Sequence, residues 1–207
     1  MSRLTGSSSR WLRRQEKDPY VERAAREGWR SRAVYKLEQL QAKERLLKPG
    51  LRCVDLGASP GSWSQYAAKL VGPRGKVWSV DLLPMVKIPG VDFLQGDFTS
   101  PETLEALRLS LGGEQADLVM SDMAPNISGN RTTDQARSIG LAEEALLFAS
   151  EVLRPGGNFL VKLFQGEGLP EFAAGARGRF ETARLVKPKA SRSESREIYL
   201  LARNYGV

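Results

Sequence analysis

The chain has no histidine and a single cysteine, Cys53, among its 207 residues. Those two scarcities exclude a great deal together: serine–histidine triads, imidazole acid–base chemistry, disulfides and Cys/His zinc sites all lack their side chains. No metal site is expected. Cys53 lies in the apolar run Leu51 to Leu56, where a small buried hydrophobe is the expected role. Long hydrophobic runs are also missing, since nothing approaches the ~20 apolar residues of a spanning helix. The arginine-rich first eighteen residues are followed by no apolar stretch, which argues against a secretory signal or an anchor and for a cytoplasmic protein. Proton transfer is left to Lys, Asp, Glu or Tyr.

What is present is a hydrophobic fraction of 41% with 27% charged residues, enough for one sizeable core. The net charge of +7 is uneven. Residues 1–36 hold ten Lys/Arg against four Asp/Glu, residues 177–196 hold seven against two, and the stretch between them is acidic. A basic tail is as often a solvated surface as a ligand site. Here Trp11, Tyr20 and Trp29 are interleaved with the arginines, which suits phosphate neutralisation combined with base stacking. Residues 1–30 are therefore expected to be a basic, partly flexible RNA-binding segment, and 31–207 one domain.

Strand and helix patterns alternate. Ser31 is placed to cap a helix running to about Leu47 and stopped by Pro49-Gly50. Strands are expected at 51–56, 76–81, 91–95, 116–121, 158–164, 180–186 and 197–203, and helices at 62–70, 101–111 and about 134–153, the last ended by Pro155-Gly156-Gly157, with a further short helix before the last two strands. The pattern predicts an α/β fold, a mostly parallel seven-stranded sheet flanked by helices.

In such sheets ligands bind beyond the carboxyl ends of the strands, where strand order reverses. The first strand ends in Asp55-Leu56-Gly57-Ala58-Ser59-Pro60-Gly61, an acid and two glycines four apart. This is not the Gly-x-Gly-x-x-Gly spacing that seats a pyrophosphate on a helix N-terminus. Asp81 and Asp97 close the second and third strands, where carboxylates can accept ribose hydroxyls and an adenine amino group. Any one such Asp is as often a cap or a turn residue. Three around a glycine loop suit S-adenosylmethionine, and Trp63 could equally be core.

The fourth strand ends in Ser121-Asp122-Met123-Ala124-Pro125-Asn126. It lacks the Pro-Pro-aromatic run of amino-directed methyltransferases, and Cys53 lies on the wrong strand for a cytosine C5 nucleophile. A hydroxyl acceptor fits best.

These motifs, with Ser8-Ser9-Arg10-Trp11-Leu12, Arg30-Ser31-Arg32-Ala33, Asp81-Leu82-Leu83-Pro84-Met85, Phe93 to Phe98 and Phe164-Gln165-Gly166-Glu167-Gly168, resemble the FtsJ-like family of RNA ribose 2′-O-methyltransferases over nearly the whole chain, especially its bacterial branch. The resemblance implies a Rossmann-like class I fold and S-adenosylmethionine as cofactor. It implies a catalytic tetrad at Lys36, Asp122, Lys162 and Glu197, and cofactor contacts at Gly57, Gly61, Trp63, Asp81, Asp97 and Asp122. The substrate it implies is a uridine ribose in the 23S rRNA of the large (50S) ribosomal subunit; no DNA or membrane partner is expected, and a monomer is the default expectation. Ser59, Ser62 and Gln15 depart from the family's usual residues but touch none of the tetrad.

The tetrad is chemically reasonable. A ribose hydroxyl must lose its proton as it attacks a methyl in line, and without histidine a neutral lysine has to accept it. Free lysine has a pKa near 10.4, which burial and a neighbouring cation lower and carboxylates raise. Lys162, inside the apolar Phe159 to Phe164, is the expected base. Lys36 is the expected cation, and Asp122 and Glu197 orient the amines. Two rival readings use the same sheet: a nicotinamide oxidoreductase and a non-catalytic RNA-binding ribosome assembly factor. Related enzymes acting on tRNA or messenger caps share the tetrad.

Overall fold

The computed structural model describes residues 18–207, so Trp11 and the remainder of the basic segment up to residue 17 lie outside the described residues. The elements run α1 (Pro19–Arg26), α2 (Val34–Glu44), β1 (Arg52–Leu56), α3 (Ser62–Val71), β2 (Lys76–Asp81), β3 (Val91–Gln95), α4 (Pro101–Leu111), β4 (Ala116–Ser121), α5 (Arg131–Val152), β5 (Leu153–Phe164), α6 (Leu169–Arg177), β6 (Phe180–Val186) and β7 (Glu197–Tyr205). They form one seven-stranded sheet in the order β3-β2-β1-β4-β5-β7-β6. β7 runs antiparallel to both its neighbours, and the other pairings are parallel. Strand order reverses between β1 and β4, so the loops after those strands open a crevice there. No helix among the described residues is long and apolar enough to cross a membrane.

Alternation along the strands separates two cores. Val54, Leu56, Val119, Phe159 and Val161 face α4, α5 and α6, while Cys53, Leu118, Met120, Leu160 and Leu201 face α2 and α3. Cys53 is wholly buried on the second face, as expected of a small hydrophobe.

Four local expectations are corrected. Ala33 rather than Ser31 is the N-cap of α2; the Ser31 hydroxyl accepts from Ala33 N–H at 3.3 Å in the turn before the helix and donates to Ser62 Oγ at 2.8 Å. α2 also stops before Pro49. Arg45 turns left-handed, and the Gln41 side chain pairs with both the N–H and the C=O of Leu47, each at 2.7 Å, so Leu46 and Leu47 enter the core without a helix. α5 begins earlier than expected because Asn130 caps it, accepting from Thr132 and Thr133 N–H at 3.1 Å. Finally, Pro155-Gly156-Gly157 is no break: α5 passes directly into β5, and this stretch makes an irregularity in its pairing with β4. A Cβ on Gly157 would lie 2.9 Å from the Arg154 carbonyl oxygen, which explains the glycine.

Residues 18–30 carry a helix that sequence patterning did not anticipate. Asp18 caps α1 by accepting from Tyr20 N–H at 3.1 Å, with Pro19 at its first turn. Tyr20 packs on Tyr35 and Trp29 sits edge-on to Tyr66, so these two aromatics, expected to stack on bases, are engaged within the fold.

Candidate active site

The apolar stripe facing α2 and α3 ends in charge. Two residues beyond Met120 comes Asp122, two beyond Leu160 comes Lys162, and two before Tyr199 comes Glu197, all on the same face by alternation. β5 and β7 bring Lys162 opposite Tyr199, and β7 begins at Glu197 opposite Phe164. α2 lies over this corner and delivers Lys36. The four expected tetrad residues, drawn from α2, the β4 end, β5 and β7, thus meet at one point.

Their contacts form a closed network. Lys162 Nζ lies 3.0 Å from Asp122 Oδ1 and also donates to the Asp122 carbonyl oxygen. Lys36 Nζ lies 2.8 Å from Glu197 Oε2 and 3.5 Å from Asp122 Oδ2. At 8% and 9% exposure, Lys36 and Lys162 are too buried for unpaired ammonium groups, so these carboxylates are structural necessities. Burial pulls the Lys36 pKa down, but Asp122 and Glu197 outweigh it and hold the pKa above the ordinary lysine value, so Lys36 is a fixed cation. Burial pushes Asp122 up, yet Lys162, Lys36 and the Tyr199 hydroxyl bring it below the usual carboxylate value.

Sequence reasoning missed two members of this network. The Tyr199 hydroxyl donates to Asp122 Oδ1 at 2.6 Å and lies 3.4 Å from Glu197 Oε1. Tyr199 is fully buried and its pKa is raised well above normal, first by burial and then by the two carboxylates, so it remains a neutral donor. Ser191 Oγ donates to Glu197 Oε1 at 2.7 Å. Tyr199 was visible in principle, two residues from Glu197 on the same face. Ser191 comes from the long β6–β7 connection, which carries no periodic signal. That connection is fastened by Asp18, whose Oδ2 meets Arg32 Nε at 3.0 Å and Arg192 at 3.1 Å.

The residues expected to hold the cofactor sit at the end of β2, in the neighbouring loops after β1, β3 and β4 and in the first turn of α3, and two side chains among the motif residues, those of Trp63 and Asp55, turn inward. Gly57, at φ +76°, lets the β4 loop close in, because its Cβ would collide with Met123 Cγ. Gly61, at φ +105°, stands where a Cβ would strike Met85 and Ile88. Asp81 is held by Ser59 N–H at 2.8 Å and Leu83 N–H at 2.7 Å. Asp97 is exposed, and the N–H and hydroxyl of Thr99 lower its pKa. Trp63, however, spends its side chain on the core: it is 2% exposed, donates to the Ala33 carbonyl at 2.8 Å and stacks on Tyr199. Asp55 is also not at the open rim. It is fully buried beneath the loop with Ser64 Oγ at 2.6 Å, and burial raises its pKa to about 7.

This donor set fits S-adenosylmethionine. Asp55 Oδ1 is buried with no partner among the described residues, and Asp81, Asp97 and Asp122 make the rim acidic. The Arg30 guanidinium beside the loop is occupied by the carbonyls of Pro60, Val86 and Lys87. An acidic rim whose neighbouring guanidinium is spent on backbone carbonyls suits a phosphate-free nucleoside bearing a sulfonium better than a dinucleotide pyrophosphate.

A reversed α/β sheet with an acidic nucleoside rim beside a buried lysine–carboxylate cluster defines a methyltransferase that uses S-adenosylmethionine. The chain belongs to the FtsJ-like methyltransferase family, which matches it over residues 29–205. It is 52% identical, over 97% of its length and 96% of the relative's, to ribosomal RNA large subunit methyltransferase E of Alkalilimnicola ehrlichii. Its fold superposes with a TM-score of 0.76 on a Plasmodium falciparum protein assigned as a ribosomal RNA methyltransferase, at 30% identity and covering 86% of this chain and 98% of that one. A Clostridium thermocellum protein assigned as an rRNA methylase shares the fold alone, with a TM-score of 0.57 at 18% identity, covering 82% of this chain and 97% of that one.

Proposed function

We propose that this enzyme methylates the 2′-hydroxyl of a uridine ribose in the 23S rRNA of the large ribosomal subunit, in the cytoplasm, with Lys162 as general base. The observation that carries the reading is the buried Lys162 amine held by Asp122 beside the fixed cation Lys36. S-adenosylmethionine would be held by Asp81, Asp97 and the loop from Gly57 to Gly61 and would supply an electrophilic methyl group, with a neutral thioether as the leaving group. Neutral Lys162 takes the proton of the 2′-hydroxyl as its oxygen attacks. The Asp122 carboxylate and carbonyl each accept a hydrogen from the amine, which leaves its lone pair free to take the proton. With Lys162 neutral, the cluster carries one positive and two negative charges. Accepting the proton balances them, so the ammonium forms where its counter-charge already stands. Lys36 and Glu197, positioned by Ser191 and Tyr199, keep Asp122 in place. The high identity to a large-subunit rRNA enzyme favours that substrate over tRNA or a messenger cap.

The test is transfer of a labelled methyl group to large subunits lacking the modification, with the product mapped by resistance to alkaline cleavage. One resistant ribose is expected. Label in tRNA alone would reassign the substrate, and label in neither RNA would support a non-catalytic assembly role.

A further inference from the structure

The opposite end of the sheet carries a second polar site. A cleft of about 220 Å³ opens at the amino ends of β1, β4 and β5, where α2 leaves its axis at Arg45 and the irregular Pro155-Gly156-Gly157 stretch begins β5. Its polar lining is Arg45, Lys48, Arg154, Arg203, Asn158 and Asn204, with one carboxylate, Asp117. Asn158 lies four residues from Lys162 along β5, about 13 Å at strand rise, so this cleft is separate from the tetrad.

Its charges are not balanced. Arg154 pairs with Asp117 at 2.5 Å and Arg203 with Glu44 at 3.1 Å, which fixes both guanidinium groups in the wall. Among the described residues, no hydrogen bond or ion pair engages the side chains of Arg45, Lys48 or Asn158. Arg45 is the left-handed residue that ends α2. The fold therefore sets two spare cations and a spare amide donor around a pocket whose remaining arginines are already immobilised. Positioned donors with surplus positive charge are what a phosphate oxygen needs.

We propose that this cleft binds a phosphate group, and that in the working enzyme the phosphate belongs to the RNA backbone of the substrate. The second half rests on the RNA reading above. Gripping the substrate at both ends of the sheet holds a large RNA without placing more charge near the reacting atoms. Such contacts position the RNA and raise affinity but read no sequence.

The test compares wild type with Arg45→Asn/Lys48→Gln, a pair chosen because Asn tolerates a left-handed backbone and neither side chain supports the fold. Inorganic phosphate is titrated while the Asn158 side-chain amide resonance is followed, and methyl transfer to large subunits is measured in parallel. The expected result is a phosphate-dependent shift in wild type that is lost in the double variant. KM for subunits should rise about 5- to 20-fold at unchanged kcat, and the salt slope should fall by nearly 2. A phosphate shift with unchanged KM would establish the site but overturn RNA as the phosphate's source. A raised KM without the shift would support the RNA backbone as the ligand. Neither effect would overturn the proposal. If wild type methylates no subunits, the functional reading fails, and the titration still decides the phosphate site.

Discussion

At the proposed cofactor rim, Asp97 is held by the N–H and hydroxyl of Thr99 in its own loop and stands exposed, while Asp81 is held by Leu83 N–H of its own loop and Ser59 N–H of the adjoining glycine loop. A few strands away, Asp122 and Glu197 are held by lysine Nζ groups and hydroxyls drawn from α2, β5, β7 and the β6–β7 connection. The first arrangement is preformed and tolerant, because each carboxylate is anchored by backbone N–H groups of the rim loops themselves. The second is communal: each charge is buried on the strength of the others, and removing one strands its partners. Binding a nucleoside needs only the first kind of order. Moving a proton with a lysine needs the second.

If that contrast holds, the largest loss should come from the hub. Asp122→Asn is expected to lower kcat about 10³-fold and stability by about 3 kcal/mol, since both lysines lose their shared counter-charge. Steady-state kinetics and urea unfolding read both. Lys36→Met should cost about 10²-fold in kcat, with KM for S-adenosylmethionine nearly unchanged because the rim is independent. A large KM effect would break the comparison. Tyr199→Phe, which removes only the hydroxyl on Asp122, should lower kcat about tenfold and stability by about 1.5 kcal/mol.

The pH dependence of stability sharpens the contrast further. Asp122 is depressed, so its contribution is present above the unfolded carboxyl value and is lost as pH falls through its lower folded value. Lys36 is raised, so its contribution is present below the ordinary lysine value and is lost as pH climbs through its higher folded one. The cluster therefore supports the fold throughout the neutral range. Asp55 acts in the opposite direction: with its pKa raised from 3.8 to about 7, stability declines as pH rises between those values. Asp55→Asn should abolish that decline, which is bounded at about 4 kcal/mol, when urea unfolding is compared at pH 4 and pH 8. An unchanged pH profile would mean that Asp55 is not a buried titrating acid.

The same contrast explains what could be read from the sequence. The rim is written locally, in the run from Asp55 to Gly61 and in single acids at the ends of β2 and β3, so its three loops are legible. What patterning could not show was the direction of a side chain: Asp55 and Trp63 lie in the right motif but turn into the interior. The tetrad is spread from Lys36 to Glu197, and only resemblance to a family gathered it in advance. Only Lys162 stood out alone, as a charge inside an apolar strand. Tyr199 and Ser191 were missed because each is unremarkable until β7 and the β6–β7 connection place it against Glu197. Among the elements, β2, β3, β4 and β6 fell at their expected bounds. The errors gathered where side chains overrule backbone signals: Gln41 holding Leu47 in place of a helical turn, and Asn130 capping α5 ahead of Asp134.

The central claim, that Lys162 accepts the hydroxyl proton, is tested most directly by single-turnover methyl transfer with wild type and Lys162→Ala, followed by rescue with small primary amines. The account predicts a loss of about 10³-fold that is partly restored in proportion to the neutral fraction of the added amine. A Lys162→Ala rate within threefold of wild type would contradict it.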